Sequence, residues 1–270
     1  MSLQMRSISY SYLHTFACPY AAFLRYQGGL KGKTTKYLAL GNALHLALEE
    51  GHRLVPWDFP KVVKLFKDEF MRIIWDDEVA VGWPEIKKME GEGIKMLEIF
   101  EGQRSEGLFP ATPTDIEKEF RLAFNNIEII GKMDRIDIID DQLIVSDYKS
   151  GSKEPDLWFL RHNLQFTVYA WATKELYGKL PDKIYWHHLR NGKRLETTRT
   201  DEDIAELQRT ISSVIGMNEN GTRYRIYHEY ICGFCEYKGE ICDDRELEQR
   251  IILDSEASYR SIEGSRKISL

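Results

Sequence analysis

The spacing of apolar residues changes period partway along this chain. Up to about residue 108 they recur at helical intervals. Leu13, Phe16, Ala17 and Tyr20 predict a helix from about Ser9 that breaks or restarts at Pro19 and runs to Tyr26, where Gly28-Gly29 stop it. Residues 37–53, YLALGNALHLALEEGHR, predict an unbroken helix with Leu44, Ala47 and Leu48 in the core and Gly51 as its C-terminal stop. Two further amphipathic segments meet near Gly82-Trp83-Pro84 and place Phe66, Phe70, Trp75, Met96 and Phe100 inside. They constitute a helical insertion over about residues 55–110.

From residue 115 the period shortens to two. DIEKEFRLAF predicts a strand, Asn125-Asn126 a turn, and the runs at 133–139 and 143–148 a hairpin around Asp140-Asp141. A helix over about residues 160–177 follows, ended by Gly178. Residues 183–189 and 194–200 predict a second hairpin through Asn191-Gly192. A last helix, capped by Thr200 or Asp201, runs to about Met217 with Ile204, Leu207, Ile211 and Ile215 on its buried side. Helices first, then strands mixed with helices, imply an α/β fold with a mixed central sheet flanked by helices. The expected organisation is one domain over residues 1–242, with 243–270 a charged helix or tail to which no function is assigned.

The central hairpin carries the chemistry. With its turn on Asp140-Asp141, a loop of two or four residues sets Asp134 opposite Asp147. Facing Cβ atoms lie roughly 4.5–5.5 Å apart, and two bare carboxylates that close repel by roughly 3 kcal/mol at an effective dielectric of 20. A divalent cation between them reverses the sign. Lys149, two residues beyond Asp147, projects from the same face. The plain alternative is a solvated face of mixed charge. In residues 37–53, Gly41, His45 and Glu49 share one helix face. His45 reads either as a packed core histidine or as a ligand, with Gly41 admitting a neighbouring element and Glu49 adding an oxygen donor.

Composition narrows the classes. The chain has 270 residues, 43% hydrophobic and 30% charged, and can bury a core. No apolar run is long enough to span a membrane and no secretory leader is recognised, so the expected compartment is the cytoplasm. A formal charge of −6 argues against a nucleic-acid coat protein. It leaves room for an enzyme gripping a short stretch of backbone with local clusters at Lys31, Lys33 and Lys36, at Lys149 and Lys153, and at Arg190, Lys193 and Arg194. Cys232, Cys235 and Cys242 read C-x2-C-x6-C, and Cys18 stands far upstream. Four thiolates suit a tetrahedral zinc or a [4Fe–4S] cluster. A disulfide framework does not suit a cytoplasmic chain of this size. Such a four-cysteine metal site would staple the N- and C-terminal regions together.

Taken together, Gly41-x3-His45-x3-Glu49, Gly131-x2-Asp134-Arg135-Ile136-Asp137, Asp147-Tyr148-Lys149-Ser150-Gly151 and Gln165-x3-Tyr169 resemble the PD-(D/E)XK nucleases of the RecB/AddB type. The cysteine pattern resembles their iron–sulfur subset, which includes the CRISPR-associated RecB-like exonucleases. The resemblance covers Cys18 to Cys242 in the family's order. It implies a restriction-endonuclease-like core and a metal-dependent DNA exonuclease. His45, Asp134, Asp147 and the Tyr148 backbone carbonyl would hold Mg²⁺ or Mn²⁺, with Glu49 a further ligand or a support. Lys149 would act on the attacking water and the phosphate, and Gln165 and Tyr169 would support the site or touch DNA. The resemblance also favours [4Fe–4S] over Zn²⁺ at Cys18, Cys232, Cys235 and Cys242. Ser150 stands where threonine is more usual, keeping the hydroxyl. No phosphate loop is present, so a helicase or recombination partner would be a separate protein. The implied partner is DNA with a single-stranded or free end. The pathway stays open among repair, recombination, phage replication and CRISPR adaptation. Two other readings remain: a non-catalytic DNA-binding or assembly subunit that keeps the fold, and a zinc-stapled scaffold.

Overall fold

The structure is a computed structural model that describes residues 7–30, 32–228, 232, 233 and 235–243. Of the tail expected over residues 243–270, all but its first residue lies outside them. The chain divides into two compact units, residues 1–32, 123–130 and 206–270, and residues 33–122 and 131–205.

In the first unit, β1 (Ser7–Ser9) pairs in parallel with the opening residues of β3 (Ile127–Ile139). That strand is absent from the periodicity because three residues are too few to establish alternation. Ser9 caps α1 (Tyr10–Thr15), accepting from Tyr12 N–H at 3.2 Å. Pro19 opens α2 (Pro19–Ala22), which continues as a π turn over Phe23–Gln27. The expected break at the proline is therefore present. Cys18, Tyr20, Phe23, Leu24 and Tyr237 form this unit's small core, with Cys235 and Cys242 packed against it.

The second unit begins with three helices, α3 (Lys36–Arg53), α4 (Phe59–Asp76) and α5 (Trp83–Ser105). Ala43, Leu44, Ala47, Leu48, Phe66, Phe70, Met96 and Phe100 join in one buried cluster. Two expectations need correction. Gly51 does not stop α3; it lies inside it, where a Cβ would come within 2.6 Å of Val62 Cγ2, so its smallness serves the approach of α4. Trp75 is 65% exposed rather than core. Phe66, Phe70, Ile73 and Ile74 already fill the buried stripe of α4, and the next residue turns about 100° away from it.

After β2 (Asp115–Phe124) and β3 come β4 (Gln142–Lys149), β5 (Lys183–His188) and β6 (Arg194–Thr197). The strand order is β1-β3-β4-β5-β6, with β2 also on β3. β3–β4 and β5–β6 are antiparallel and β4–β5 is parallel, so the sheet is mixed, with helices flanking it, as the sequence implies. The helix expected over 160–177 is two, α6 (Leu157–His162) and α7 (Leu164–Tyr177), divided at Asn163. The Asn163 side chain caps α7, while the buried Arg199 guanidinium donates to the carbonyls of Leu160 and Asn163 that the break releases. Gly178, at φ 76°, ends α7 in the left-handed conformation. α8 (Asp201–Glu219) starts at Thr200, whose hydroxyl accepts from Asp203 N–H while the Asp203 carboxylate accepts from Thr200 N–H. Among the described residues no helix is long and apolar enough to cross a membrane.

Candidate functional site

The β3–β4 turn places the acids. Asp140 (φ 48°) and Asp141 (φ 64°) both adopt positive φ, the pattern of a two-residue type I′ turn. The register pairs Ile139 with Gln142 through to Arg135 with Ser146, and the next step brings Asp134 and Asp147 to facing positions. Asp134 Oδ2 accepts from Tyr148 N–H at 2.7 Å, locking the two strands together at this point. Both carboxylates are buried, at 6% and 1% exposure.

α3 lays His45 over this pair. Its Nε2 is 3.0 Å from the Tyr148 carbonyl, and its Nδ1 is 3.5 Å from Asp134 Oδ1 and 3.8 Å from Glu117 Oε1. Gly41, one turn earlier, permits the approach: a Cβ there would sit 3.2 Å from Ser150 Oγ. Among the described residues, His45, Glu117 and Asp134 form the one group of three donors whose ligand atoms all lie within 4.8 Å of one another. Glu49 lies apart from that group, against Arg53 at 2.6 Å and Lys132 at 3.8 Å.

A closed ring of side chains surrounds Lys149. Its ammonium meets Asp147 Oδ2 at 2.6 Å and donates to Gln165 Oε1 at 3.1 Å. Gln165 donates to the Tyr169 hydroxyl at 2.8 Å, which in turn donates to Asp147 Oδ1 at 3.2 Å. Gln165 and Tyr169 reach the same site because they stand one turn apart on α7. Beyond the strand, His188 holds the Gly151 carbonyl at 2.7 Å and Arg190 donates to the Ser150 carbonyl at 2.8 Å, fixing the exit of the chain from β4.

The charges are strongly coupled. Burial pushes Asp147 up to about 6, with the Asp134 carboxylate adding to the rise and Lys149 opposing it. Burial would also raise Asp134, but the His45 imidazolium and the Tyr148 N–H hold it below the usual carboxylate range. Burial works against a charged His45, yet Asp134 and Glu117 outweigh it and bring the imidazole to about 10. The protein on its own thus satisfies these carboxylates with a proton on His45 and the Lys149 ammonium.

Glu117 escaped the sequence reading. It sits within β2, buried, at φ 49°, a left-handed conformation that breaks the strand's alternation and turns its carboxylate towards His45. Lys132 pairs with it at 2.6 Å.

Adjacent strands bearing an acid on one and D-x-K on the other, beneath a helical histidine, define a nuclease core of the restriction-endonuclease-like kind. The chain belongs to the PD-(D/E)XK nuclease superfamily, which it matches over residues 7–243. Among solved structures, a provisionally named exonuclease from Eubacterium rectale is similar at a TM-score of 0.55 and 15% identity, over 87% of this chain and 88% of that one. A second, SSO0001, reaches a TM-score of 0.35 and 14% identity, over 62% of this chain and 77% of that one. No curated protein sequence matches.

Proposed function

We propose that this protein is a divalent-metal-dependent deoxyribonuclease of the RecB/AddB type that degrades DNA from an end. The observation that carries the reading is the convergence of His45, Glu117 and Asp134 beside the Asp147-Tyr148-Lys149 strand end. The donors suit a hard cation. His45 Nδ1 faces Asp134 Oδ1 at 3.5 Å and Glu117 Oε1 at 3.8 Å, while Nε2 faces the Tyr148 carbonyl at 3.0 Å. His45, Glu117, Asp134, Asp147 and that carbonyl would hold Mg²⁺ or Mn²⁺, the imidazole favouring Mn²⁺ in an otherwise oxygen set. Glu49, engaged by Arg53, would support the site from one helical turn away.

When bound, the ion supplies positive charge that acidifies water and offsets charge on the phosphate. Lys149 orients the attacking water and stabilises the negative charge that builds on the phosphate oxygens as the phosphorus–oxygen bond breaks. Gln165 and Tyr169 keep that ammonium and Asp147 in place. DNA is the substrate.

The reading extends to Cys18, Cys232, Cys235 and Cys242 as ligands of a [4Fe–4S] cluster. Cys18, Cys235 and Cys242 share one apolar cluster, and Cys232 Sγ accepts from His228 N–H at 3.4 Å, the kind of hydrogen bond that tunes cluster sulfurs. Burial raises the Cys235 thiol, with Cys18 and Cys232 among the groups whose charge adds to the rise; a bound metal reverses that. Among the described residues no three of these sulfurs lie within 4.8 Å of one another.

The test uses end-labelled single- and double-stranded DNA with anaerobically purified protein, comparing wild type with Asp147→Ala under Mg²⁺, Mn²⁺ and EDTA. Divalent-dependent degradation that the variant loses supports the reading, and the order of products gives polarity. Absence of cleavage by a metal-replete wild type overturns it. Iron, sulfide and zinc analysis of the same preparation decides the cysteine site.

A further inference from the structure

The helix that follows the D-x-K strand presents its apolar side chains to solvent. In α6, Leu160 is buried, but Leu157, Trp158 and Phe159 are 79%, 70% and 44% exposed. Three consecutive exposed large hydrophobics are a feature that solubility selects against unless something binds there. The ridge is also ordered. The Trp158 ring stacks on His162 with centroids 4.5 Å apart and planes 26° from parallel, and His162 Nδ1 lies 2.7 Å from the Trp158 carbonyl.

The ridge is continuous with the site. Phe159 meets Trp186 edge-on at 6.1 Å, and the Lys149 ammonium lies over the Trp186 ring at 5.4 Å. Trp186 is the β5 partner of Asp147. Two ring steps separate the ammonium from the ridge, a reach on the order of three stacked nucleotides at about 3.4 Å each. The neighbouring carboxylates are engaged: Asp156 caps α6, Glu154 pairs with Lys193, and Asp203 pairs with Arg161. Lys153 stands exposed between the strand end and the ridge.

We infer that Leu157, Trp158 and Phe159 form a stacking ridge for the unpaired bases of a single-stranded DNA end, delivering the backbone to Lys149. The inference rests on the nuclease reading. Every base offers a π face, so such a ridge grips single strands without reading sequence. It gives the site a preference for frayed or single-stranded ends.

Fluorescence anisotropy in EDTA, where no cleavage occurs, tests it with labelled oligothymidylate and an abasic oligonucleotide of the same length. Trp158→Ala weakens oligothymidylate binding about tenfold, leaves the abasic strand unchanged, and Trp158→Phe largely restores binding. Unchanged binding by Trp158→Ala, or equal loss on both strands, overturns the ridge. So does an effect confined to self-association, read by sedimentation, which would make α6 a protein interface. Wild-type cleavage is assayed alongside. A wild type that cuts DNA while Trp158→Ala binds normally removes the ridge alone; a wild type that neither cuts nor binds removes the nuclease reading as well.

Discussion

Replacing Asp137 with alanine should cost more stability than any single change at the site itself. Arg135 and Asp137 lie on the face of β3 opposite Asp134, and each side chain is only 1% exposed. The guanidinium donates to both Asp137 oxygens, at 2.7 and 2.8 Å. Its other neighbours include the Pro110 carbonyl, the Phe109 ring at 4.6 Å, His52 at 3.2 Å and the Tyr148 side chain. None carries negative charge: burial raises the Tyr148 hydroxyl and keeps it protonated, and His52, which burial and then Arg135 itself hold down to about 3, is a neutral imidazole at working pH. Asp137→Ala therefore leaves a cation buried without a counter-charge, a loss of roughly 3–5 kcal/mol. At roughly 2–4 °C per kcal/mol for a chain of this order, the melting temperature falls on the order of 6–20 °C. Arg135→Met with Asp137→Leu removes both charges and should return most of the loss. Urea unfolding of Arg135→Met, of Asp137→Leu and of the double variant completes a cycle. A single-variant loss below about 1 kcal/mol, or a double variant as unstable as the sum of the singles, refutes the reasoning.

Three further outcomes follow from the geometry. Lys149→Met should lower cleavage by about 10²–10³-fold while Mn²⁺ binding by calorimetry persists; near-normal rates would remove the lysine from the chemistry. Mn²⁺ affinity should rise with pH, up to about tenfold per unit from pH 7 to 9, because His45, held protonated up to about 10 by Asp134 and Glu117 against burial, must release its proton to become a ligand. Asp147, raised to about 6 mainly by burial, should steepen that dependence below pH 6, and titrations in buffers of different ionisation heat that show no proton release would contradict both signs. In α5, Gly93→Ala drives a Cβ to 2.1 Å from Phe66 Cζ and should destabilise by roughly 1–3 kcal/mol, whereas Gly91→Ala, with open space around it, should stabilise by roughly 0.5–1 kcal/mol. Equal effects of the two in thermal melts would show that packing at Phe66 does not decide the matter.

Much of the arrangement is legible in the sequence because it follows from period and turn chemistry. The hairpin register needs only the position of Asp140-Asp141, and the meeting of Gln165 with Tyr169 needs only one helical turn. What escapes is set by distant contacts. Charged side chains are seldom fully buried, yet Arg135 and Asp137 both are, because they neutralise each other beneath the Phe109 ring. Trp75 reads as core and is exposed, because hydrophobicity marks a candidate for burial but cannot say that a helix face is already full.

Glu117 shows where sequence reasoning about a site gives out, and why the structure adds chemistry to it. In DIEKEFRLAF a strict two-residue period puts Glu117 and Glu119 on one polar face. The left-handed residue at 117 resets that phase, so Glu119 stays exposed while Glu117 is buried beside His45. A β-region residue forced to positive φ costs on the order of 1–3 kcal/mol, which surrounding interactions must offset. Lys132 supplies one such interaction, and in the metal-free protein the His45 imidazolium supplies another. Both are cations held against a carboxylate that a solvated strand would leave in water. A site that gathers Glu117, Asp134 and Asp147 and then neutralises them with Lys132, His45 and Lys149 is balanced without metal. A divalent ion bound as proposed would therefore expel the His45 proton rather than simply fill a negative hole. That exchange would tie metal affinity to pH and would give Glu117 a role that its place in the sequence does not announce.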